Sequence, residues 1–286
     1  MKEIVILSGK GGTGKTTIVG SFAALAKKKV MVDCDVDAAD LHLLLQPVTT
    51  ESREFWSGQY AVIDEGRCTQ CGLCEKACRF AAIGSYRVDP LACEGCRFCY
   101  HLCAEGAIAM QEKLAGHWFT SDTRYGPLVH ARLGVAQENS GKLVTQVRRE
   151  ARLIAEKQGL DYILSDGPPG IGCPVISSLS GVNLALLVTE PTLSGMHDLD
   201  RIVNLCRHFG VPALVCINKY DINEENTSHI EKYCRDNRAD VISKIPFDNV
   251  VTEALVRRLP VVEYSHDGVS CQVEKLWQSI LQFLHE

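Results

Sequence analysis

Cys68, Cys71, Cys74 and Cys78 form a C-x2-C-x2-C-x3-C run, and Cys93, Cys96, Cys99 and Cys103 repeat it 25 residues later. These are eight of the fourteen cysteines, and Ala82-Ile83 echoed by Ala107-Ile108 extends the duplication past the thiols. Three closely spaced thiolates with a fourth just beyond is the spacing that wraps a cubane 4Fe–4S cluster. Zinc sites more often set Cys-x2-Cys pairs either side of a longer loop, and disulfides belong to oxidising compartments. Two clusters are the favoured chemistry here, with zinc and crosslinks as alternatives. Such a chain handles electrons, or iron and sulfur themselves.

A second constellation opens the chain. The apolar run from Ile4 to Ser8 reads as a buried parallel strand. Gly9-Lys10-Gly11-Gly12-Thr13-Gly14-Lys15-Thr16 follows it and satisfies G-x-x-x-x-G-K-[ST], with helix-compatible residues from Thr17 to Lys27 behind. Glycines let successive N–H groups curl around phosphate oxygens, Lys15 is placed to reach the β- and γ-phosphates, and Thr16 to hold Mg²⁺. The helix N-terminus adds its dipole. This is a nucleotide cradle.

Carboxylates end two further apolar strands. Val30-Met31-Val32-Asp33-Cys34-Asp35 places two acids at a strand's carboxyl edge, where α/β sheets bind ligands. Tyr162-Ile163-Leu164-Ser165-Asp166 has the form of a Walker B strand, and Asp166 suits Mg²⁺, a hard ion that keeps most of its waters. The base-reading candidates are Ile217-Asn218-Lys219-Tyr220-Asp221 and Ile245-Pro246-Phe247-Asp248. Asn-Lys-x-Asp alone suggests guanine, because a carboxylate accepts two hydrogen bonds from that base.

The second lysine, Lys10, carries a family resemblance. Lys10-Gly11-Gly12-Thr13-Gly14-Lys15-Thr16-Thr17 resembles the deviant Walker A loop of MinD/ParA/Mrp-type ATPases and of the nitrogenase iron protein. The resemblance implies that Lys10 reaches across a homodimer to the partner's nucleotide phosphates. It assigns Asp35 to orienting the attacking water, Asp33 to assisting the Mg²⁺ shell and Gly167-Pro168-Pro169-Gly170 to switch II. It also implies that Asn218 faces adenine while Pro246 and Asp248 close over the ring. That favours ATP, with GTP the minority reading. The implied catalytic set is Lys10, Lys15 and Asp35, with Gly11 to Thr17 binding nucleotide.

The elements that must position these groups alternate along the chain. Apolar strand-like runs recur at 3–8, 29–34, 161–166, 183–189, 212–217 and 240–245, with helical stretches between most of them, the clearest amphipathic one at 142–158. The pattern predicts a doubly wound, mostly parallel α/β sheet of P-loop NTPase type over 1–58 and 114–286. Residues 59–113 form an insertion with its own strand pair, Tyr60–Ile63 and Ala107–Met110. This insertion resembles a bacterial two-cluster ferredoxin, a small α+β domain. By that resemblance ligation is crosswise: Cys68, Cys71, Cys74 and Cys103 hold one cluster, and Cys93, Cys96, Cys99 and Cys78 the other. The proline usual after each fourth cysteine is Arg79 in one run and Ala104 in the other. Proline is a turn device, so ligation survives its loss, and Arg79 tends to raise the potential of its cluster.

Length, composition and charge bound the rest. The 286 residues are 46 % hydrophobic and 23 % charged with a net charge of −5, an ordinary soluble balance that disfavours a broad nucleic-acid surface. No run is long enough to span a membrane and no export signal is evident, so the expected location is cytoplasmic, with reduced thiols. The apolar stripe Val273, Leu276, Trp277, Ile280, Leu281 and Leu284 is read as a core-packing helix rather than a membrane-targeting one. Lys27-Lys28-Lys29 is read as a helix C-terminus and Asn139-Ser140-Gly141 as a helix cap. Of the six remaining cysteines, Cys34, Cys206, Cys216, Cys234 and Cys271 are read as small buried hydrophobes. Cys173 lies in the switch II loop and is weighed as a dimer-bridging thiol against plain packing. The expected function is an ATP-gated homodimer that controls electron transfer through two clusters to an unidentified partner protein. Cluster assembly or transport, and a positioning ATPase with a redox-sensing module, are the alternatives.

Overall fold

The computed structural model describes residues 1–134 and 140–285. The chain folds as two compact units: Met1–Ser52, Trp118–Arg132 and Ser140–Glu286 form the first, and Arg53–His117 with Leu133–Asn139 the second. The strands are β1 (Lys2–Ser8), β2 (Lys29–Asp33), β3 (Val48–Ile63), β4 (Ile83–Gly84), β5 (Arg87–Val88), β6 (Ile108–Thr123), β7 (Gly126–Leu133), β8 (Tyr162–Pro169), β9 (Leu184–Thr189), β10 (Ala213–Asn218) and β11 (Asp240–Ile245). The helices are α1 (Lys15–Leu25), α2 (Leu41–Leu45), α3 (Leu73–Ala77), α4 (Phe98–Leu102), α5 (Ser140–Gln158), α6 (Cys173–Leu179), α7 (Leu193–His208), α8 (Glu224–Asp236), α9 (Val250–Val256), α10 (Val261–Tyr264) and α11 (Val269–His285).

Among the described residues, nine strands make one sheet in the order β11-β10-β9-β1-β8-β2-β7-β6-β3. All the pairings from β11 across to β7 are parallel. The two residues Arg124 and Tyr125 join β6 to β7, a connection only an antiparallel hairpin can make. β1 sits between β8 and β9, so six of its seven residues are buried and its sequence is apolar without alternation. Its side chains still divide by the two-residue period. Ile4 and Ile6 enter a core with Phe22, Leu164, Trp277 and Ile280, while Val5 and Leu7 enter one with Leu187, Leu199 and Ile202. Helices thus cover both faces of the sheet, the doubly wound arrangement.

α5 turns Leu143, Val144, Val147, Ala151 and Ala155 inward and shows its charges to solvent, apart from the buried Arg148. Arg148 Nε lies 2.6 Å from Glu3 Oε1, and Arg152 Nη2 lies 2.6 Å from Glu3 Oε2. α11 buries Val273, Leu276, Trp277, Ile280 and Leu284, with Trp277 packed 5.0 Å from the Phe22 ring. Among the described residues no helix is long and apolar enough to cross a membrane. The Asn139 capping residue lies outside the described residues.

The strand pattern departs from expectation in one region. β3, β6 and β7 span 48–63, 108–123 and 126–133, much of it not anticipated as strand. The pair expected at Tyr60–Ile63 and Ala107–Met110 forms the ends of two 16-residue strands. Most of β3 is exposed, so neither face carries the hydrophobic period that marks a strand.

The second unit repeats itself structurally. α3 starts from Gly72 at φ 74 and α4 from Arg97 at φ 64, both left-handed. They end at Cys78 (φ −74, ψ 111) and Cys103 (φ −75, ψ 106). The 25-residue echo in the sequence is therefore a repeat of backbone conformation.

Candidate functional site

The loop between β1 and α1 is built by glycine. Gly12 and Gly14 sit at φ 80 and 93, a region costly for residues with a Cβ, and Gly14 caps α1. A Cβ on Gly11 or Gly12 would meet nothing within 4 Å, so this stretch of backbone borders open space. Lys15, at the first position of α1, is buried, and its Nζ donates to Ser8 Oγ at 2.8 Å. Burial lowers the Lys15 pKa against the pull of Asp166, Asp35 and Asp33. Ser8 donates in turn to the Lys10 carbonyl at 2.6 Å, closing the loop on itself.

Register brings the carboxylates together. On β2 and β8, Asp33 and Asp166 are direct partners, and Ile6 of β1 faces Asp166 from the other side. Asp33 Oδ1 accepts from the Asp35 N–H and Oδ2 from the Leu41 N–H, both at 3.1 Å, so it shapes the loop leaving β2. Asp166 is buried and its Oδ1 has no hydrogen-bond partner, as is also true of Thr13 Oγ1. Burial pushes the Asp166 carboxyl up to about 6, against the Thr16 hydroxyl and the Lys15 charge. Asp35 is half-buried, and burial raises its pKa while Lys15 opposes.

Lys10 turns to its own chain. Its Nζ lies 2.9 Å from Glu190 Oε1, with Thr192 and Ser194 hydroxyls at 3.4 and 3.5 Å. Lys219 Nζ reaches the same carboxylate at 3.2 Å and the Gly12 carbonyl at 3.3 Å. Burial pulls the Glu190 carboxyl up, but the bonds from the two lysines outweigh it and leave it below its usual range. Neither Glu190 nor Ser8 was singled out in the sequence. Glu190 follows β9 directly, and its place at a strand's carboxyl edge was the available signal.

Asn218 and the Ile245–Asp248 segment border one cavity of about 230 Å³ with Gly12, Gly14 and Thr17. Asn218 Nδ2 donates to the Thr13 carbonyl at 2.8 Å, fixing β10 to the loop. Asp221 Oδ1 accepts from the Phe247 N–H at 2.7 Å, so that carboxylate secures the Pro246 segment.

In the second unit, Cys78, Cys93, Cys96 and Cys99 line a single cavity of about 400 Å³, walled by Ala61, Ala82, Ile83, Phe80, Phe98 and Met110. The Ala61 N–H donates to Cys93 Sγ at 3.5 Å and the Ala107 N–H to Cys103 Sγ at 3.4 Å. Burial raises the Cys74 thiol, and Cys68 and Cys71 are close enough to add to that rise. None of the fourteen cysteines is in a disulfide. Among the described residues, no three His, Cys, Asp or Glu side chains converge on one metal ion. Cys34, Cys206, Cys216 and Cys234 are buried, Cys271 is partly exposed and Cys173 is exposed.

Comparison with known proteins agrees with this architecture. Residues 4–261 match the CobQ/CobB/MinD/ParA nucleotide binding domain. An uncharacterized protein of Methanocaldococcus jannaschii is 32 % identical over 286 residues, spanning 99 % of this chain and 97 % of the relative. An iron–sulfur cluster carrier protein of Pyrococcus abyssi is 25 % identical over 302 residues, spanning 99 % and 87 %. Among solved structures, the septum site-determining protein MinD of Pyrococcus horikoshii, complexed with Mg-ADP, superposes with a TM-score of 0.58 at 19 % identity, covering 98 % of this chain and 95 % of that one. A sheet with a Gly-rich loop after the interior strand β1, and a family match across most of its length, identify the chain as a member of the CobQ/CobB/MinD/ParA nucleotide-binding family.

Proposed function

We propose that this protein is a Mg²⁺-dependent ATPase whose nucleotide cycle gates electron transfer through two 4Fe–4S clusters bound in its second unit. The observation that carries the cluster half is the cavity lined by Cys78, Cys93, Cys96 and Cys99, the crosswise set of one cluster. The sequence spacing of the thiols, three at two-residue intervals with a fourth just beyond, suits a four-iron group better than zinc. Cys68, Cys71, Cys74 and Cys103 would hold the second cluster. When bound, the clusters supply one-electron storage at low potential.

The nucleotide half rests on one buried carboxylate oxygen that lacks a partner. Asp166 Oδ1 is buried and unpaired, a position that suits the water shell of Mg²⁺ beside Thr16. Lys15 and the N–H groups of Gly11 to Thr17 would hold the phosphates, and Asp35 would orient the attacking water. Asp33, already bonded to backbone, would support that shell by fixing the loop after β2. Adenine is favoured over guanine because Asp221, which would read guanine, is engaged with Phe247. Asn218, Pro246 and Asp248 would then border the base. ATP would draw Lys10 to a second copy of the chain and close a homodimer, and hydrolysis would release it. The nucleotide contributes timing, since a ligand shifts a conformational equilibrium only by its differential affinity.

The test is iron and sulfide analysis of anaerobically prepared protein, followed by reduction with and without Mg·ATP. About eight irons per chain are expected, and a rate of electron delivery to an external acceptor that depends on ATP and is lost in Lys15→Ala. Trace iron, or indifference to nucleotide, would overturn the proposal. A second reading, in which clusters are cargo, draws on the name of the Pyrococcus abyssi relative. Incubation with an apo-ferredoxin and ATP separates the two, because cargo leaves the protein and redox centres stay.

A further inference from the structure

The two cysteine runs are duplicates, so the places where they differ carry information. At the 25-residue offset, Arg79 after Cys78 answers to Ala104 after Cys103, and Arg97 after Cys96 answers to Gly72 after Cys71. The fold brings both replacements to one place. Arg79 and Arg97 line the cavity of Cys78, Cys93, Cys96 and Cys99. Glu94, which answers to Thr69, lines it too and offsets only one of the two positive charges. Around the other four cysteines, Arg67 is paired with Asp64 at 3.6 Å, Glu75 stands beside Lys76, and Glu105 follows Ala104.

Arg97 holds its place at a conformational cost. It adopts φ 64, where its counterpart Gly72 adopts φ 74 without a Cβ to strain. Its Nη2 donates to Gln59 Oε1 at 2.6 Å, an exposed bond within the same unit. Guanidinium stays charged at every accessible pH, so the two arginines are a fixed field.

We infer that Arg79 and Arg97 make the Cys78–Cys93–Cys96–Cys99 site the electron-accepting end of an internal relay, with the Cys68–Cys71–Cys74–Cys103 site as the donating end. The inference rests on the cluster-binding reading above. A positive charge near a partly buried redox group stabilises an added electron and raises its potential. With clusters bound, the Cys68–Cys71–Cys74–Cys103 site would be oxidised by one electron as the Cys78–Cys93–Cys96–Cys99 site is reduced by one, with no proton or atom moving. The arginines are positioning residues that set the direction of this step.

The experiment is a dithionite titration of the reconstituted full-length protein, followed by EPR and visible absorbance. Two separate midpoint potentials are expected, the higher belonging to the site that Cys96→Ser disrupts. Arg97→Gly and Arg79→Ala copy the residues at the matching positions of the other run, Gly72 and Ala104, and Arg97→Gly removes the strained side chain, so both variants retain the fold. Each should lower the upper potential and leave the lower one in place, and the double variant should merge the two steps. Full iron content with coincident wild-type potentials, or an upper potential unmoved in the double variant, would overturn the relay alone. Near-zero iron would remove the cluster reading and this inference with it.

Discussion

Lys10 and Glu190 form an ion pair at 2.9 Å within one chain, and Lys219 shares the same carboxylate at 3.2 Å. A lysine proposed to serve a second subunit is thus held by its own. Freeing it requires breaking a partly exposed pair, with Lys10 32 % and Glu190 13 % exposed, which costs about 1 kcal/mol or less. Glu190→Gln should therefore lower the protein concentration needed for ATP-dependent dimerisation by about two- to fivefold, read by sedimentation with a slowly hydrolysed ATP analogue. Lys10→Ala should still bind ATP but stay monomeric. Dimerisation unchanged in both variants would refute the cross-subunit role.

Asp166→Asn separates binding from turnover. The amide fills the same buried space but cannot hold the Mg²⁺ water shell as a carboxylate does. ATP binding should persist, measured calorimetrically, while hydrolysis falls on the order of 100-fold or more, as several kcal/mol of charge stabilisation is withdrawn. Hydrolysis within a fewfold of wild type would exclude Asp166 from the metal site.

Gly9 is confined by packing rather than by dihedral angle. A Cβ there would collide with Asp198 Cβ and stand 2.8 Å from the Asp198 carbonyl carbon, so the backbone of α7 would have to shift. Gly9→Ala should destabilise the fold by about 1–3 kcal/mol in urea unfolding and displace the nucleotide loop with it. A variant as stable as the parent would show that α7 gives way freely.

Arg148 joins three segments at once. It pairs with Glu3 at 2.6 Å and donates to the Ser177 carbonyl and, at 3.0 Å, to the Ser180 carbonyl. Arg148→Ala leaves the Glu3 carboxylate buried with only Arg152 beside it, at an expected cost of about 3–5 kcal/mol. Arg148→Met with Glu3→Gln should recover part of that loss. Failure of the pair to recover any would mean that the carbonyl contacts dominate.

His130 makes stability depend on pH. Its ring stacks 5.0 Å from Phe119 and 6.0 Å from His42, and Ser121 Oγ lies 3.1 Å from Nε2. Burial, then His42 and Arg132, push its pKa from 6.5 down to about 4. Between those values the unfolded chain takes up a proton that the folded chain refuses, so unfolding free energy falls as pH falls through this window. The slope from this group is at most about 1.4 kcal/mol per pH unit. His130→Gln should flatten that part of the profile, and superimposable profiles would discount the ring.

The nucleotide loop was legible because its chemistry is local. Glycines at φ 80 and 93, and a lysine opening a helix, are set by a short stretch of sequence. The pairing of Asp33 with Asp166 was readable only as two strand ends, because 133 residues separate them and sheet order decides which strands adjoin. Glu190 escaped notice for the same reason, as its lysine partners come from β1 and β10 edges. β3 was obscured because exposure along most of its length erases the alternation that reveals a strand. The cysteine runs announced themselves by spacing, yet the meeting of Arg79 and Arg97 required the fold.

Burial of four thiols has a practical consequence for anyone counting sulfur chemistry in this protein. Burial pushes Cys206, Cys216 and Cys234 up to about 12 and Cys34 higher still, so at neutral pH almost none of their sulfur is anionic. A maleimide or iodoacetamide applied to the native fold should pass them by. The mass increments it leaves would come from the two duplicated runs, Cys173 and Cys271, turning alkylation into a direct gauge of how many of those sulfurs are already occupied.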